Sequence, residues 1–261
     1  MIKRIFDNSL TVSKHIIKSE KISGVIRILL LADLHSTCYG YRQRELISLI
    51  KTRSPDVICI AGDLIDERRS FGCVADLLRG IINMAPVYFV TGNHEYRIEN
   101  IGYYLRKMQR LGVKVLSDEA ACIEISGERL LIAGVNDHEI KRHKPNYSQE
   151  QSMQKAFSHL RGDDGVFKLL LAHRPGCFER YIKYPFEIIL SGHEHGGQVR
   201  IPLVDVGLYS HRRLFPKYTA GMHNVGNSRL VISRGLSYFA HVPRVFNPPE
   251  LVEVILKGKG V

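Results

Sequence analysis

Short apolar runs rich in Val, Ile and Leu alternate with longer amphipathic stretches along the first two thirds of the chain. The runs predict buried strands. They lie at residues 25–31, 57–60, 87–90, 113–116, 167–171 and 186–190. The amphipathic stretches between the first runs predict helices near residues 41–52, 72–83 and 98–111. Strands that alternate with helices at this spacing predict right-handed crossovers and a mainly parallel sheet.

The pattern changes from about residue 120 onward. Residues 122–133 predict a hairpin with Gly127 at its turn, and therefore a second sheet. A charged connection over residues 136–152 precedes a predicted helix near residues 152–160. Further strands are predicted near residues 198–203, 229–233 and 251–257.

The N-terminal residues allow two interpretations. The strand period of Leu10, Val12 and Ile16 predicts an edge strand over residues 10–18. Alternatively, apolar residues of the first turns fit one face of a short basic helix, which would suit a membrane anchor; they are Ile2, Ile5, Phe6 and Leu10. Because the chain shows neither an internal repeat nor a linker, we expect a single domain over residues 1–261, with residues 1–20 as an edge strand or an N-terminal extension.

Polar residues follow five of the predicted strands directly. They are Asp33, His35, Asp63, Asn93, His173, His193 and His195. The carboxyl ends of the strands are where open α/β sheets build their sites. In extended backbone, His193 and His195 would leave the same face about 6 to 7 Å apart and reach one or two ions. The sequence therefore predicts one polar site at this edge.

The chemistry of these seven side chains predicts a metal centre. Four imidazoles, one amide and two carboxylates without sulfur suit divalent Mn, Fe or Zn. Seven ligands are too many for one such ion, whereas two ions that share Asp63 would each have four protein ligands. With a bridging hydroxide, such a centre keeps about one surplus positive charge, which suits a phosphate oxygen, and the hydroxide is a nucleophile near neutral pH.

The charge balance indicates an anionic partner. The chain has 37 Lys and Arg against 26 Asp and Glu, for a net charge of +11. A phosphate-ester substrate, a nucleic acid and an anionic membrane surface all fit this sign. No basic stripe interleaved with aromatic residues supports a nucleic-acid stacking platform, and no obligate protein partner is evident.

The cysteines indicate a reducing compartment. They are odd in number and scattered, at Cys38, Cys59, Cys73, Cys122 and Cys177. This distribution argues against a disulfide framework and against thiolate zinc, and Cys38 is interpreted as a packing residue. Charged residues interrupt residues 1–20, so that no signal peptide is expected there. We expect a cytoplasmic protein, with a peripheral position at the membrane as an alternative.

The motifs resemble a known group of enzymes. Asp-x-His, Gly-Asp-x-x-Asp, Gly-Asn-His-Glu, a lone His and Gly-His-x-His follow one another between residues 33 and 195, as in the calcineurin-like metallophosphoesterase superfamily. The tail resembles the bacterial phosphodiesterase branch of the YkuE and YaeI type. Its motifs are Gly196-Gly197-Gln198, Ser233-Arg234-Gly235-Leu236 and Asn247-Pro248-Pro249-Glu250.

The resemblance implies an α/β fold, a four-layer α/β/β/α sandwich of two mixed sheets flanked by helices. It implies one metal ion on Asp33, His35, Asp63 and His195. It implies a second ion on Asp63, Asn93, His173 and His193.

The resemblance also gives His94 the role of an acid beside the substrate. If Asn93 turns to the metal, the next residue of an extended backbone faces the other way, and His94 can protonate the leaving oxygen. Asp66 is interpreted as a helix cap or a support for the ligands. Arg174 is a candidate for binding a phosphate oxygen, although a surface ion pair fits it equally well.

We therefore expect a dinuclear-metal-dependent phosphohydrolase that cleaves a phosphodiester or a pyrophosphate. A bridging hydroxide would attack, with His94 as the general acid. Glu67-Arg68 replaces the Arg-Gly of the superfamily's protein Ser/Thr phosphatases, which disfavours that activity. The alternatives are a phosphomonoesterase or a nuclease of the same superfamily, or a non-catalytic scaffold that retains the fold.

Overall fold

Two six-stranded sheets dominate the computed structural model of the chain. It describes residues 5–162, 164–202, 206–210, 213–238 and 243–260. The strands are β1 (Thr11–Lys18), β2 (Val25–Leu31), β3 (Val57–Ala61), β4 (Val87–Val90), β5 (Lys114–Val115), β6 (Glu119–Ile125), β7 (Glu128–Gly134), β8 (Phe167–Leu171), β9 (Ile188–Ser191), β10 (Arg200–Ile201), β11 (Val206–Gly207), β12 (Tyr209–Ser210), β13 (Arg213–Leu214), β14 (Gly221–Val225), β15 (Ser228–Ile232) and β16 (Glu250–Lys257). The α-helices are α1 (Arg44–Arg53), α2 (Gly72–Ile81), α3 (Ile101–Arg110), α4 (Gln149–Phe157) and α5 (Phe178–Tyr181).

The first sheet has the strand order β1-β16-β2-β3-β4-β5. Neighbouring strands from β2 to β5 are parallel, and α1, α2 and α3 connect them in turn. β16 is antiparallel to β2 and parallel to β1. The predicted strands, helices and parallel pairing of this half are confirmed, and β1 is the predicted edge strand.

The second sheet has the order β14-β15-β9-β8-β7-β6. β6 and β7 form the predicted antiparallel hairpin, and the positive φ of 81° at its Gly127 suits a tight turn. β7, β8, β9 and β15 pair in parallel. The carboxyl ends of β8 and β9 therefore meet, as the sequence predicts.

Alternating side chains of the strands build three apolar layers. In β2, Ile28 and Leu30 lie in the cluster between the two sheets, with Leu169 of β8 and Val231 of β15. Leu29 instead contributes to the cluster under α1 and α2. A third cluster packs α4 and α5 on the outer face of the second sheet. The predicted four-layer α/β/β/α sandwich of two mixed sheets is confirmed.

The tail differs from its predicted pattern. β15 and β16 are confirmed, but the strand predicted over residues 198–203 is reduced to the two residues of β10, which pair with β11; residue 203 lies outside the described residues. The sequence prediction also missed β14, which pairs with β15 and extends the second sheet. In such short strands, too few apolar and polar residues alternate for the strand to be recognised from the sequence.

The cysteine interpretation is wrong for two residues. Cys38 and Cys73 form a disulfide, with their Cα atoms 5.5 Å apart. It joins the loop after β2 to the first turn of α2 across a sequence separation of 35 residues. Only the fold brings these residues together, so sequence spacing could not reveal the pair. Cys38 is thus not a simple packing residue, and the argument for a reducing compartment loses its basis.

Candidate metal centre

The seven predicted ligands converge at the carboxyl ends of their strands. Ligand atoms of Asp33, His35 and His195 lie within 4.8 Å of one another, and those of Asp63, His173 and His193 form a second such group. The seventh, Asn93, places its Oδ1 3.2 Å from Nε2 of His173. Atoms that bind one ion at about 2.0–2.2 Å lie about 3 to 3.5 Å from one another, so this crowding of nitrogen and oxygen atoms fits bound metal.

Asp63 lies between the two groups. Its Oδ2 is 3.2 Å from Nε2 of His173 and 3.7 Å from Nε2 of His35. Its Oδ1 accepts a hydrogen bond of 2.8 Å from the backbone N–H of His94. One carboxylate oxygen is thus in reach of both groups, while the other fixes the orientation of the side chain.

The ring of His173 is oriented by a backbone carbonyl. Its Nδ1 lies 2.8 Å from the carbonyl oxygen of Ala61, which can only accept, so that Nδ1 carries the proton. Nε2 then faces the centre, 3.0 Å from Nδ1 of His193. A donor bond from the outer nitrogen to a carbonyl is the arrangement found around metal-binding histidines.

His35 is oriented in a similar way by Asp66. Oδ2 of Asp66 lies 3.5 Å from Nδ1 of His35, while Nε2 of His35 faces Nε2 of His195 at 3.3 Å. Burial lowers the pKa of His35, but Asp66, Asp63 and Asp33 more than offset this effect, and the pKa is raised. The interpretation of Asp66 as a support for the ligands fits this geometry.

Burial and charge act strongly on the buried acids. Burial raises the pKa of Asp33 to about 6, and Asp63 contributes to the same direction. The pKa of Asp63 is held well below its usual range, because His173 and His35 outweigh its burial. The same ion pair raises the pKa of His173 to about 10 against its burial. A buried carboxylate stays ionised only beside a compensating positive charge. Here the histidines supply that charge, and bound cations would supply it as well.

The backbone around the ligands differs from the predicted extended form. β9 ends at Ser191, and His193 and His195 have positive φ of 73° and 48°. The prediction that these two histidines leave one face of a strand is therefore wrong. The chain turns because both carboxylate oxygens of Asp33 accept the backbone N–H of His193, at 3.0 and 2.9 Å. Left-handed backbone at side chains other than glycine is a form of strain that clusters at functional sites.

Glycine is required at two positions beside the ligands. A Cβ on Gly192 would lie 2.7 Å from Oδ2 of Asp33, closer than real Cβ contacts. A Cβ on Gly62, which has φ of 82°, would lie 2.7 Å from Nδ1 of His173. The backbone therefore approaches the ligands closely enough to exclude any side chain.

Glu95 has a positioning role that the sequence analysis missed. Its fully buried carboxylate accepts the backbone N–H groups of Asp63 at 2.9 Å, Ile65 at 2.9 Å and Gly92 at 2.7 Å. It thereby ties the loop after β3 to the loop after β4. Burial raises the pKa of Glu95 to about 7. Its place in Gly-Asn-His-Glu was a signal, but the motif does not show which groups the carboxylate binds.

The tail motif Asn247-Pro248-Pro249-Glu250 supports the turn that carries His195. The side-chain amide of Asn247 donates to the carbonyls of His195 at 2.7 Å and Gln198 at 3.1 Å. Glu250 accepts the backbone N–H of Arg234 at 2.9 Å, two residues before Leu236. These contacts explain why motifs distant in sequence accompany the Gly-His-x-His turn.

His94 borders the centre, although not for the predicted reason. Its backbone is helical, with φ of −70° and ψ of −35°, so the argument from extended neighbours does not apply. Nδ1 lies 2.7 Å from Oε2 of Glu67, and Nε2 lies 3.0 Å from Nη1 of Arg97. The ring meets that of His35 edge-on at 4.4 Å. Burial lowers the pKa of His94, and Arg97 adds to this effect.

Arg174 is anchored by a buried acid. Its Nε donates to Oδ2 of Asp137 at 2.6 Å and its Nη2 to Oδ1 at 3.3 Å, and the Asp137 side chain is fully buried. Nη1 lies 3.2 Å from Nε2 of His193. A pair with one partner fully buried is not an ordinary surface ion pair, and it holds the guanidinium at the edge of the centre.

An open cleft of about 950 Å³ leads to the two groups of ligands. Four arginine side chains contribute to its lining; they are Arg68, Arg69, Arg97 and Arg174. Acidic side chains, among them Glu139 and Glu194, interrupt this cationic lining. The volume is that of a typical small-molecule site, and the cations favour an anionic occupant.

Several relatives of the chain are longer than it is. The chain spans about half the length of three animal relatives, 49% to 54%. Two of these are described as transmembrane proteins with a metallophosphoesterase domain. Over the residues described for this chain, no helix is both long and apolar enough to span a membrane.

Other relatives are closer in length. An uncharacterized metallophosphoesterase of Aquifex aeolicus is 30% identical, with 96% of this chain and 93% of the relative covered. The phosphodiesterase YaeI of Escherichia coli is 27% identical, with 80% and 74% covered. Among solved structures, the Haemophilus influenzae NAD nucleotidase NadN has a TM-score of 0.57 at 18% identity, with 85% of this chain and 54% of that chain covered. The last likeness concerns the fold alone.

The family assignment rests on the sequence profile that the chain matches. The profile of the calcineurin-like phosphoesterases covers residues 26–197, which is more than half of the chain. This range begins in β2 and ends just after the turn with His193 and His195, so it contains all seven converging side chains. The chain belongs to the calcineurin-like phosphoesterase family.

Proposed function

We propose that the protein is a phosphohydrolase that uses two divalent metal ions to cleave a phosphodiester or a pyrophosphate. One observation carries this proposal: Oδ2 of Asp63 is in reach of both groups of ligands, 3.2 Å from His173 and 3.7 Å from His35. A single shared carboxylate between two sets of nitrogen and oxygen donors is what a pair of ions needs.

The side chains divide between two ions in this proposal. Asp33, His35, Asp63 and His195 would hold one ion. Asp63, Asn93, His173 and His193 would hold the other. The donors suit Mn, Fe or Zn. When bound, such a pair supplies positive charge for a phosphate oxygen and lowers the pKa of water enough to make it a nucleophile near neutral pH.

Arg174 binds a non-bridging phosphate oxygen in this proposal. Asp137 occupies its Nε and Nη2, which leaves Nη1 directed to the edge of the centre beside His193. Because the guanidinium is already fixed, little side-chain entropy is lost when an anion binds.

His94 protonates the leaving oxygen, with Glu67 as its positioning residue. The Glu67 carboxylate accepts from Nδ1 at 2.7 Å, so that Nε2, which lies 3.0 Å from Nη1 of Arg97, is the atom that would turn to the substrate once Arg97 gives up this contact. The lowered pKa of His94 means that its protonated fraction, and with it the acid function, decreases as the pH rises toward neutrality.

The preference for diesters and pyrophosphates rests on charge. Two divalent cations held by two carboxylates would leave a surplus of positive charge at the centre, which suits the monoanion of a diester. The description of the relative YaeI as a phosphodiesterase agrees with this preference.

Metal analysis and a substrate screen test the proposal together. We expect about two ions per chain, and higher kcat/KM on bis-p-nitrophenyl phosphate or a nucleotide-sugar pyrophosphate than on p-nitrophenyl phosphate. A much higher kcat/KM on the monoester would indicate a phosphomonoesterase, and turnover of oligonucleotides alone would indicate a nuclease. Bound metal without turnover of any ester would favour the non-catalytic scaffold.

A further inference from the structure

Large apolar side chains are exposed beside the cleft. Six of them belong to three short segments of the chain: Ile5 at 53% exposure, Phe6 at 64%, Ile201 at 39%, Val206 at 40%, Leu214 at 72% and Phe215 at 64%. Apolar residues scattered singly over a surface need no explanation, whereas a contiguous group marks an interaction site. We call these six residues the apolar rim.

Backbone hydrogen bonds join the segments of the apolar rim. Ile201 of β10 pairs directly with Val206 of β11. Phe215 donates its N–H to Leu208 at 2.9 Å, two residues beyond Val206. The ladder of β10 and β11 and the separate ladder of β12 and β13 therefore follow one another closely on this surface.

The N-terminal segment is linked to the ladder of β10 and β11 through the tail. Phe246 donates its backbone N–H to Ile5 at 2.8 Å. Its neighbour Val245 accepts from Arg200 at 2.9 Å, next to Ile201. Ile5 and Phe6 therefore lie along the same side of the molecule as the ladder.

The apolar rim borders the mouth of the cleft. Tyr209 and Ser210, which line the cleft, belong to β12. Tyr209 pairs with Leu214 in the ladder of β12 and β13. A surface that covers the apolar rim would thus lie directly beside the entrance to the candidate metal centre.

The sequence places basic residues next to the most exposed apolar pairs. Lys3-Arg4 precedes Ile5-Phe6, and Arg212-Arg213 precedes Leu214-Phe215. Residues 1–6 and 206–220 together contain five Lys or Arg and no Asp or Glu. The pattern of two basic residues, one aliphatic and one aromatic residue occurs in both segments.

We propose that the apolar rim docks on the surface of an anionic phospholipid bilayer and presents the cleft to its headgroups. Basic residues beside exposed Phe, Leu and Ile match the two attractions that hold peripheral proteins on such a surface. The net charge of +11 has the same sign. A second copy of the chain would bring together two segments with the same excess of basic residues in their sequence, which disfavours self-association through this rim. This inference does not rest on the proposed hydrolase activity.

Vesicle flotation with the whole chain tests the proposal. The probes are vesicles of phosphatidylcholine alone and of phosphatidylcholine with phosphatidylglycerol. We expect binding to the anionic vesicles that weakens at high salt, and little binding to the neutral ones. The double substitution Leu214→Ser and Phe215→Ser should lower the partition coefficient on the order of tenfold or more, because two large apolar side chains no longer enter the interface.

Tyr103→Ser is the matched control. Tyr103 is 48% exposed on α3, outside the apolar rim, and its loss should leave binding unchanged. Circular dichroism and the melting temperature of both variants establish that they fold. Equal binding of the double variant and the wild type would overturn the proposal. So would absence of vesicle binding, including the case in which the wild type forms a concentration-dependent dimer that the double variant loses.

Discussion

Nδ1 of His94 lies 2.7 Å from Oε2 of Glu67 and 3.7 Å from Oδ2 of Asp66. Asp66 instead lies 3.5 Å from Nδ1 of His35. Two consecutive acids thus serve two different histidines, one beside the ligands and one among them. In the proposed mechanism, Glu67 affects proton transfer and Asp66 affects metal binding, and this division can be measured.

The Glu67→Gln substitution should slow substrates with poor leaving groups. Glu67 raises the pKa of His94, so its loss lowers that pKa and reduces the protonated fraction near neutral pH. We expect kcat on an alkyl or phenyl ester to fall by about tenfold, with little change on nitrophenyl esters, and the basic limb of the pH profile to shift to lower pH. The measurement is kcat against leaving-group pKa.

Asp66→Asn is the matched comparison for that experiment. Because Asp66 orients His35, this variant should lose metal affinity by about 10- to 100-fold while its dependence on the leaving group stays that of the wild type. Equal slowing of all esters by Glu67→Gln, or metal loss in that variant, would contradict the acid role of His94.

Asp63→Ala should remove metal from both groups of ligands. Oδ2 of Asp63 reaches Nε2 of both His35 and His173, whereas Asp33 belongs to one of the two groups of candidate ligands. We expect about two ions per chain in the wild type, fewer than about one in Asp63→Ala and about one in Asp33→Ala. Elemental analysis after gel filtration gives the stoichiometry. Asp76→Ala, an acid on α2 that pairs with Arg79, is the control.

Two tightly bound ions in Asp63→Ala would rule out the bridging role. The same result together with normal turnover would contradict the proposed centre as a whole.

Metal binding should release protons and strengthen as the pH rises. In the metal-free protein the pKa of His173 is about 10, so its ring is positively charged at neutral pH, and the pKa of His35 is raised in the same direction, whereas metal needs neutral imidazole. Asp33, with a pKa of about 6, adds a proton below that pH. We expect at least about one proton released at pH 8 and more at pH 5.5.

Calorimetric titration with Mn²⁺ or Zn²⁺ in buffers of different ionisation enthalpy measures this release. His159→Gln, which changes a histidine on the exposed surface after α4, should leave it unchanged. Metal affinity that is independent of pH between 5.5 and 8 would show that these groups do not hold the ion.

The convergence of the seven candidate side chains was predictable because each follows the end of a strand, and parallel topology brings strand ends together. That they bind metal stays a prediction. The backbone conformation at individual site residues was not predictable in this way. His193 has a positive φ because Asp33, 160 residues earlier, accepts its N–H. A contact of that kind depends on the fold and leaves no local pattern.

The other features that were not predicted from the sequence have the same physical origin. Cys38 and Cys73 form a pair only because two loops lie side by side, and Glu95 binds N–H groups of two separate loops. Asp137 supports Arg174 from a connection that shows no apolar period. That residues 1–261 form a single domain stays a prediction.

Asp137→Asn should weaken substrate binding while metal content stays unchanged. The amide cannot accept both guanidinium bonds with the strength of a carboxylate, so Arg174 is no longer fixed. We expect kcat/KM to fall by about 10- to 100-fold in Asp137→Asn and in Arg174→Lys, mainly through KM. Arg142→Lys is the control, because Arg142 pairs with Glu139 on an exposed turn. A fall in kcat alone, or loss of metal, would contradict this role.

The disulfide should stabilise the chain, and thiol counting should reveal it. Of the five cysteines, Cys59, Cys122 and Cys177 are free, so denatured, unreduced protein should show about three reactive thiols. Closing a loop of 35 residues contributes about 3 to 4 kcal/mol in the chain-entropy account. Cys73→Ser should therefore lower the melting temperature by roughly 7 to 14 °C, and reductant should lower that of the wild type by a similar amount.

Reductant should have no further effect on Cys73→Ser. Cys122→Ser, which removes an exposed free thiol, should melt like the wild type in both conditions. Five reactive thiols in protein purified without reductant would show that Cys38 and Cys73 stay reduced, and the cysteine argument for a reducing compartment would stand again.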